Sequence, residues 1–230
     1  MSYLIIGASS KIALELIKRL QEKNQDIITI SRSNLDDPKI KTHYQIDVTN
    51  HQIELPSIDE PLKGLFYLPG TMSLKPFNNL KLENFQSDLH INFLSCVRCL
   101  EKYLPNLEKQ PNSSILMMST VAVQLGLSYH ASISSAKGAI EGLTRSLAAE
   151  LSPNIRVNCI APSLLETPLA KPILDRAGQK ELSDKRHPLH RIGQATDVAA
   201  MAEFLLLDQS SWITGQVLHV DGGMSSLRLF

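Results

Sequence analysis

Nowhere in this chain of 230 residues is there a run of about 18 apolar residues, the least that a membrane-spanning helix needs. The opening stretch MSYLIIGASS also lacks the basic segment that begins a secretion signal. A membrane partner is therefore not expected, and the chain reads as soluble and cytoplasmic. A charge surplus is missing too, since 23 Lys and Arg residues cancel 23 Asp and Glu residues. Gripping a nucleic-acid backbone takes an excess or a clustered face of basic side chains, so nucleic acid is excluded as a partner. Cysteine is scarce: three residues cannot all pair with one another, which fits a reducing compartment. Cys96 and Cys99 form a C-x-x-C, but within a helical apolar pattern rather than at a strand-to-helix turn, so they read as packing residues. No repeat, charge block or low-complexity linker is present, and no metal site is expected.

What the chain does have is the composition of a globular protein, 43% apolar and 20% charged, at a length that suits one α/β domain. Short apolar runs alternate with amphipathic segments from end to end, the order of a doubly wound parallel sheet with helices on both faces. Strands are expected over residues 3–6, 26–30, 43–48, 65–68, 114–118, 156–160 and 216–220, and helices over 13–23, 82–104, 134–151 and 196–207. In the third helix Ile140, Leu143, Leu147 and Leu151 recur at helical spacing and form one buried stripe. Residues 162–190, rich in proline and leucine, read as a loop with short helices outside the sheet. Ligands of doubly wound folds sit beyond the carboxyl ends of the strands, so this insertion is a natural lid.

The first strand runs into GASSKIALELIKRL, a tight turn that opens a helix. First-turn amides and the helix dipole both favour an anion there, which makes Gly7, Ser9, Ser10, Lys11 and Ile12 candidates for holding a pyrophosphate. The second strand ends in ISRSN. Where an NAD site would place an acid against the ribose hydroxyls, this chain offers Ser31 and Arg32, a hydroxyl and a guanidinium suited to a 2′-phosphate. NADP(H) is thus favoured over NAD(H).

These residues and four further segments resemble the short-chain dehydrogenase/reductase family along nearly the whole chain. RIGQATDVAAMAEFLLLDQSSWITGQVLHVDGG, residues 191–223, is similar to that family's last helix, strand and dimer-forming tail. EGLTRSLAAELSPNIRVNCIAPSLLETPL resembles the helix carrying the active-site lysine, the sixth strand, and the loop whose Pro162 and Thr167 would lie over the nicotinamide. DVTN matches the segment that contacts adenine through Asp47 and Val48, and INF matches the helix-borne asparagine, Asn92. The resemblance implies a Rossmann-type fold and a homodimer or homotetramer paired through helices 82–104 and 134–151, where Ala139, Gly142 and Ala149 permit close approach.

Departures from the family pattern accompany the likeness. Ile6, Lys11 and Ala13 stand where the family's phosphate loop has a threonine and two glycines, so a side chain sits where backbone would approach the phosphates. The family's N-N-A-G becomes Tyr67, Leu68, Pro69 and Gly70, and its Pro-Gly becomes Pro162 and Ser163. In the catalytic Ser-Tyr-Lys set, alignment puts Thr120 at the serine, Ile133 at the tyrosine and Lys137 at the lysine. Isoleucine carries no proton. Tyr129 or His130 is a candidate replacement, because an enoyl-reductase branch places its tyrosine seven residues before the lysine, and Ser132 or Ser134 could carry a water. The resemblance therefore implies an NADP(H)-dependent oxidoreductase with an altered proton donor, acting on a carbonyl or enone of a small, partly hydrophobic substrate. Its rival is a catalytically impaired dinucleotide-binding sensor or supporting subunit.

Overall fold

A computed structural model describes residues 1–228. Strand β1 (Ser2–Ile6) buries every one of its side chains, as expected of a central strand covered on both faces. It leads into α1 (Lys11–Glu22), β2 (Asp26–Ser31), β3 (Thr42–Gln45) and β4 (Leu62–Tyr67). Next come α2 (Leu82–Leu89), α3 (Ser95–Glu108), β5 (Ser113–Met118), α4 (Ala122–Leu125), α5 (Ala131–Leu151) and β6 (Ile155–Pro162). The described chain closes with α6 (Lys171–Leu174), α7 (Gln179–Arg186), α8 (Ala195–Leu206) and β7 (Val217–Val220). All seven strands run parallel in the order β3-β2-β1-β4-β5-β6-β7, so the order reverses beside β1. That reversal opens a crevice at the carboxyl ends of β1 and β4, where doubly wound folds hold ligands.

The sheet separates two apolar cores. One packs Leu4, Ile6, Tyr67, Ile115 and Val157 against α3 and α5, and the other packs Tyr3, Ile5, Phe66 and Leu116 against α1 and α8. Leu143, Leu147 and Leu151 lie with Ile140 on the first core, as their spacing requires. Cys96 and Cys99 are buried there too, and burial pushes the Cys99 thiol up to about 12, so both pack rather than react. None of the described helices is long and apolar enough to cross a membrane.

Among the expected boundaries that move, three have a clear local reason. The strand expected over 43–48 ends at Gln45, because Asp47 Oδ1 accepts hydrogen bonds from the amide and hydroxyl of Thr49 and turns the chain. The single helix expected over 82–104 is instead α2 and α3 joined by a π-helical turn at His90–Leu94, which holds Asn92. Helix α5 starts three residues earlier than expected, with the Ser134 amide already donating to His130 O. Between β2 and β3 no helix forms, and a groove of about 570 Å³ runs along α1 from Lys11 to Leu35 and Ile40.

One buried cation ties α8 to the sheet. Arg156, in β6, donates to Leu205 O at 2.9 Å, Ser210 Oγ at 2.7 Å and Leu207 O at 3.2 Å, closing carbonyls that the end of α8 would leave open. Arg156→Met should lower the free energy of unfolding by about 3 kcal/mol, since several buried acceptors lose their donor together. Urea denaturation measures this, and an unchanged midpoint would contradict it.

Candidate active site

The turn after β1 is shaped by Gly7, which adopts φ +81°. A Cβ added there would lie 3.0 Å from Pro69 Cδ and 3.2 Å from Leu68 Cβ, so two strand ends approach each other at a point only glycine fits. Ser10 caps α1 by accepting from Ala13 N at 3.1 Å. Lys11 is exposed at the first helical position, Ser9 is exposed beside it, and Ile12 packs against the α1-side core. The cap and the free first-turn amides suit a pyrophosphate even though Lys11 and Ala13 replace glycines.

At the end of β2, Ser31 and Arg32 differ in availability. The Ser31 hydroxyl is buried and donates to Ser33 O at 2.6 Å, whereas the Arg32 side chain is exposed. Arg32 is therefore the group free to meet a phosphate. The Asp47–Val48 segment is held by a residue the sequence reading passed over. Arg98 of α3 donates to Val48 O at 3.2 Å, to Asn50 O at 2.9 Å and to Ile53 O. Fifty residues separate Arg98 from Val48, and no local signal marks the pair.

Lys137 lies at the floor of the crevice. Its side chain is buried, its Nζ donates to Met118 O at the end of β5 at 2.9 Å, and a Cβ on Gly70 would lie 3.4 Å from that nitrogen. Burial lowers its pKa to about 8, although nearby Cys159, Cys96 and Asp88 act in the other direction. Asn92 shares the floor, 3.0 Å from the same hypothetical Gly70 Cβ. Its amide is fully engaged, with Nδ2 donating to Thr71 Oγ1 and Asp88 O and Oδ1 accepting from Thr71 N. Of the two hydroxyls after β5, Ser119 turns inward to donate to buried Glu141 at 2.7 Å, whereas Thr120 is half-buried and its Oγ1 accepts from Ala122 N at 3.3 Å.

Ile133 is 4% exposed, one helical turn before Lys137 on the same face. Long helical side chains lean toward the helix N-terminus, so the lysine stem runs up beside this isoleucine. Tyr129 is 59% exposed with φ +69°, and its carbonyl accepts from Lys75 N, joining two loops at the rim. His130 Nδ1 lies 2.7 Å from Ser128 O and must carry a hydrogen to bond it, so Nε2 donates a proton only in the imidazolium form. The Ser134 hydroxyl donates to His130 O and the Ser132 hydroxyl to Asp88, so neither is free to hold a water by donation.

Residues 162–190 form a short 3₁₀ turn at Pro168–Ala170 followed by α6 and α7, above the end of β6. Pro162 accepts from Val121 N, and Thr167 begins the 3₁₀ turn. A second residue absent from the sequence reading anchors this segment. Buried His187 lies 2.7 Å from Ser183 O through Nδ1 and 2.9 Å from Ser163 Oγ through Nε2, tying α7 to the sheet edge.

Comparison with known proteins bears on this site. Residues 60–225 match the family model described as enoyl-(acyl carrier protein) reductase. The 3-oxoacyl-(acyl-carrier-protein) reductase FabG of Thermotoga maritima is 29% identical over 242 residues, an alignment covering 96% of each chain. A tropinone reductase homolog of Arabidopsis thaliana is 36% identical over 157 residues, which span 68% of this chain and 60% of that relative's length. Among solved structures, aldohexose dehydrogenase of Thermoplasma acidophilum superposes with a TM-score of 0.88 at 23% identity, covering 100% of this chain and 96% of that one. A gluconate 5-dehydrogenase from Burkholderia cenocepacia, solved with NADP and tartrate, superposes at 0.87 with 22% identity, covering 99% and 96%. At these identities the likeness to the solved structures is one of fold.

The lysine leaves a signature in stability. Its unfolded pKa is the ordinary 10.5 and its folded pKa about 8, so below about pH 8 both states are charged and the cost of burial is complete. Between pH 8 and 10.5 the unfolded chain binds a proton that the folded chain does not, and stability rises with pH. Relative to Lys137→Met, the wild type should gain roughly 3 kcal/mol across that window. Parallel stability profiles of the two proteins would rule this out.

Proposed function

Because the chain belongs to the short-chain dehydrogenase/reductase family of oxidoreductases, we propose that it is an NADP(H)-dependent enzyme of that type, reducing the carbonyl or enone of a small, partly hydrophobic substrate without the usual tyrosine. The observation that carries this reading is Lys137, a buried lysine at the carboxyl edge of β5 with one N–H bond spent on Met118 O and two left over. A lysine pays a steep desolvation cost in such a place, and two unspent donors beside Gly70 suit the hydroxyls of a nicotinamide ribose.

The remaining residues divide the work. The turn at Gly7 to Ile12 holds the pyrophosphate, Arg32 meets the 2′-phosphate, and Asp47 with Val48, braced by Arg98, borders the adenine. Gly70, Pro162 and Thr167 border the nicotinamide. The fold neighbour solved with NADP supports this choice of dinucleotide. When bound, the reduced nicotinamide supplies a hydride. Thr120 holds the substrate oxygen at the mouth of the crevice. The balancing proton comes from a group other than residue 133, and Lys137, which titrates near pH 8, is the buried group placed to give it. Tyr129 stays at the rim as a further donor for substrates that reach it. Residues 162–190 close over the substrate, and α5, where a Cβ at Gly142 would meet no atom within 4 Å, offers a bare face for a homodimer or homotetramer.

Ile133 itself favours a second reading. A buried aliphatic side chain in the donor's place suits a dinucleotide-binding subunit or sensor that supports an active partner. Binding and turnover separate the two. NADPH should bind, and Arg32→Ala should weaken it about 10- to 100-fold while NADH is little affected. Ile133→Tyr should raise ketone reduction by roughly 10²–10⁴-fold. Binding without turnover of any ketone or enone would favour the sensor, and absence of binding would refute both.

A further inference from the structure

Asp88 is a buried carboxylate, 1% exposed, that has no part in the family pattern described above. It sits in the last turn of α2 and gathers three hydroxyls. Oδ1 accepts from Thr71 Oγ1 at 2.5 Å and Ser73 Oγ at 3.3 Å, and Oδ2 accepts from Ser132 Oγ at 2.6 Å. Thr71 and Ser73 belong to the loop after β4, and Ser132 to the first turn of α5, directly before Ile133. The Ser132 hydroxyl also lies 3.2 Å from Asn84 O, so the cluster ties α5 to α2 at Asn84 as well as at Asp88. A charge so deep is costly unless it is satisfied.

The cluster reaches the lysine by short steps. Thr71 accepts from Asn92 Nδ2 at 2.8 Å while donating to Asp88, and Asn92 and Lys137 Nζ both flank Gly70, the residue before Thr71. Other titratable groups also face the ammonium. Cys96 comes from α3 and Cys159 from β6, and burial pushes the first well up and the second to about 12, so both thiols are neutral near pH 8. Tyr67 of β4 is likewise pushed up by burial and donates to Ile91 O. Glu141, one turn beyond Lys137 on α5, is engaged by Ser119. Of the two carboxyl groups, Asp88 is the one that comes from a facing element and favours the charged lysine.

We propose that Asp88 is a positioning residue for this site: its carboxylate locks the loop after β4, the end of α2 and the start of α5 into one floor, and supplies the counter-charge to the Lys137 ammonium. The floor thus keeps a buried ion to support the lysine although the tyrosine is gone. Lys137's use of that charge toward a dinucleotide rests on the function proposed above. The link between Asp88 and Lys137 does not, because it is read in the free protein.

The test is NMR titration of ¹³Cε-labelled lysines without cofactor, with the Lys137 signal assigned by its loss in Lys137→Met. In Asp88→Asn the Lys137 midpoint should fall by about one pH unit, whereas Thr71→Val, which loosens the clamp but keeps the carboxylate, should leave it in place. If Asp88→Asn does not fold, the double variant Asp88→Val with Ser132→Ala removes the charge together with its buried donor and is read the same way. An unmoved midpoint in a folded variant lacking the carboxylate would overturn the proposal, as would an equal fall in Thr71→Val. With NADPH added, Asp88→Asn should bind more weakly than wild type at pH 8 and recover at pH 6, where the lysine is protonated in both. Failure of the wild type to bind NADPH would count against the proposed function alone, since the titration still decides on Asp88.

Discussion

An ammonium group sunk to the carboxyl edge of a parallel sheet sets the terms for everything around it. Lys137, one helical turn after Ile133, reaches Met118 O, and nothing in an apolar core would keep it there unaided. Desolvation favours its neutral form and Asp88 favours its charged form, and the result is a lysine that titrates near pH 8. Such a group changes charge within the range where proteins work.

The surrounding departures follow a common logic. Where the family keeps glycines in the phosphate turn, this chain keeps one, Gly7, at the single point where Leu68 and Pro69 press against the backbone. Lys11 and Ala13 instead lie on α1, whose capped first turn still presents its amides. Where the family has a tyrosine, Ile133 fills the space with hydrocarbon. Polar support for the lysine is then drawn from below, through Asn92, Thr71 and Asp88, rather than from beside it.

The architecture was legible from alternation alone, because buried parallel strands and amphipathic helices have different periods and the C-terminal segment keeps both clearly. Thr120 and Lys137 were singled out by the resemblance of one segment to the family's catalytic motif, and Asn92 by the separate segment INF. What stayed hidden depends on distance along the chain. Ser132 and Asp88 are 44 residues apart, and neither residue type is unusual where it stands. Arg98 reaches back to Val48 across 50 residues, and His187 meets Ser163 across 24. The π-helical turn at Asn92 was equally hidden, since helical periodicity runs through it without a break. Of the Ser31 and Arg32 pair, only Arg32 keeps its side chain free, a distinction made by a hydrogen bond to Ser33 O. Tyr129 and His130 were visible as residue types, but their exposure and tautomer were not.

The most direct measurement is calorimetry of NADPH binding near pH 8.5 in buffers of different ionisation enthalpy. A lysine that is largely neutral in the free protein must take up a proton when it meets an anionic dinucleotide. The observed heat should therefore vary with the buffer, showing uptake of a sizeable fraction of one proton that is lost in Lys137→Met. Binding whose heat is independent of the buffer, or uptake that persists in Lys137→Met, would contradict the place given to this lysine.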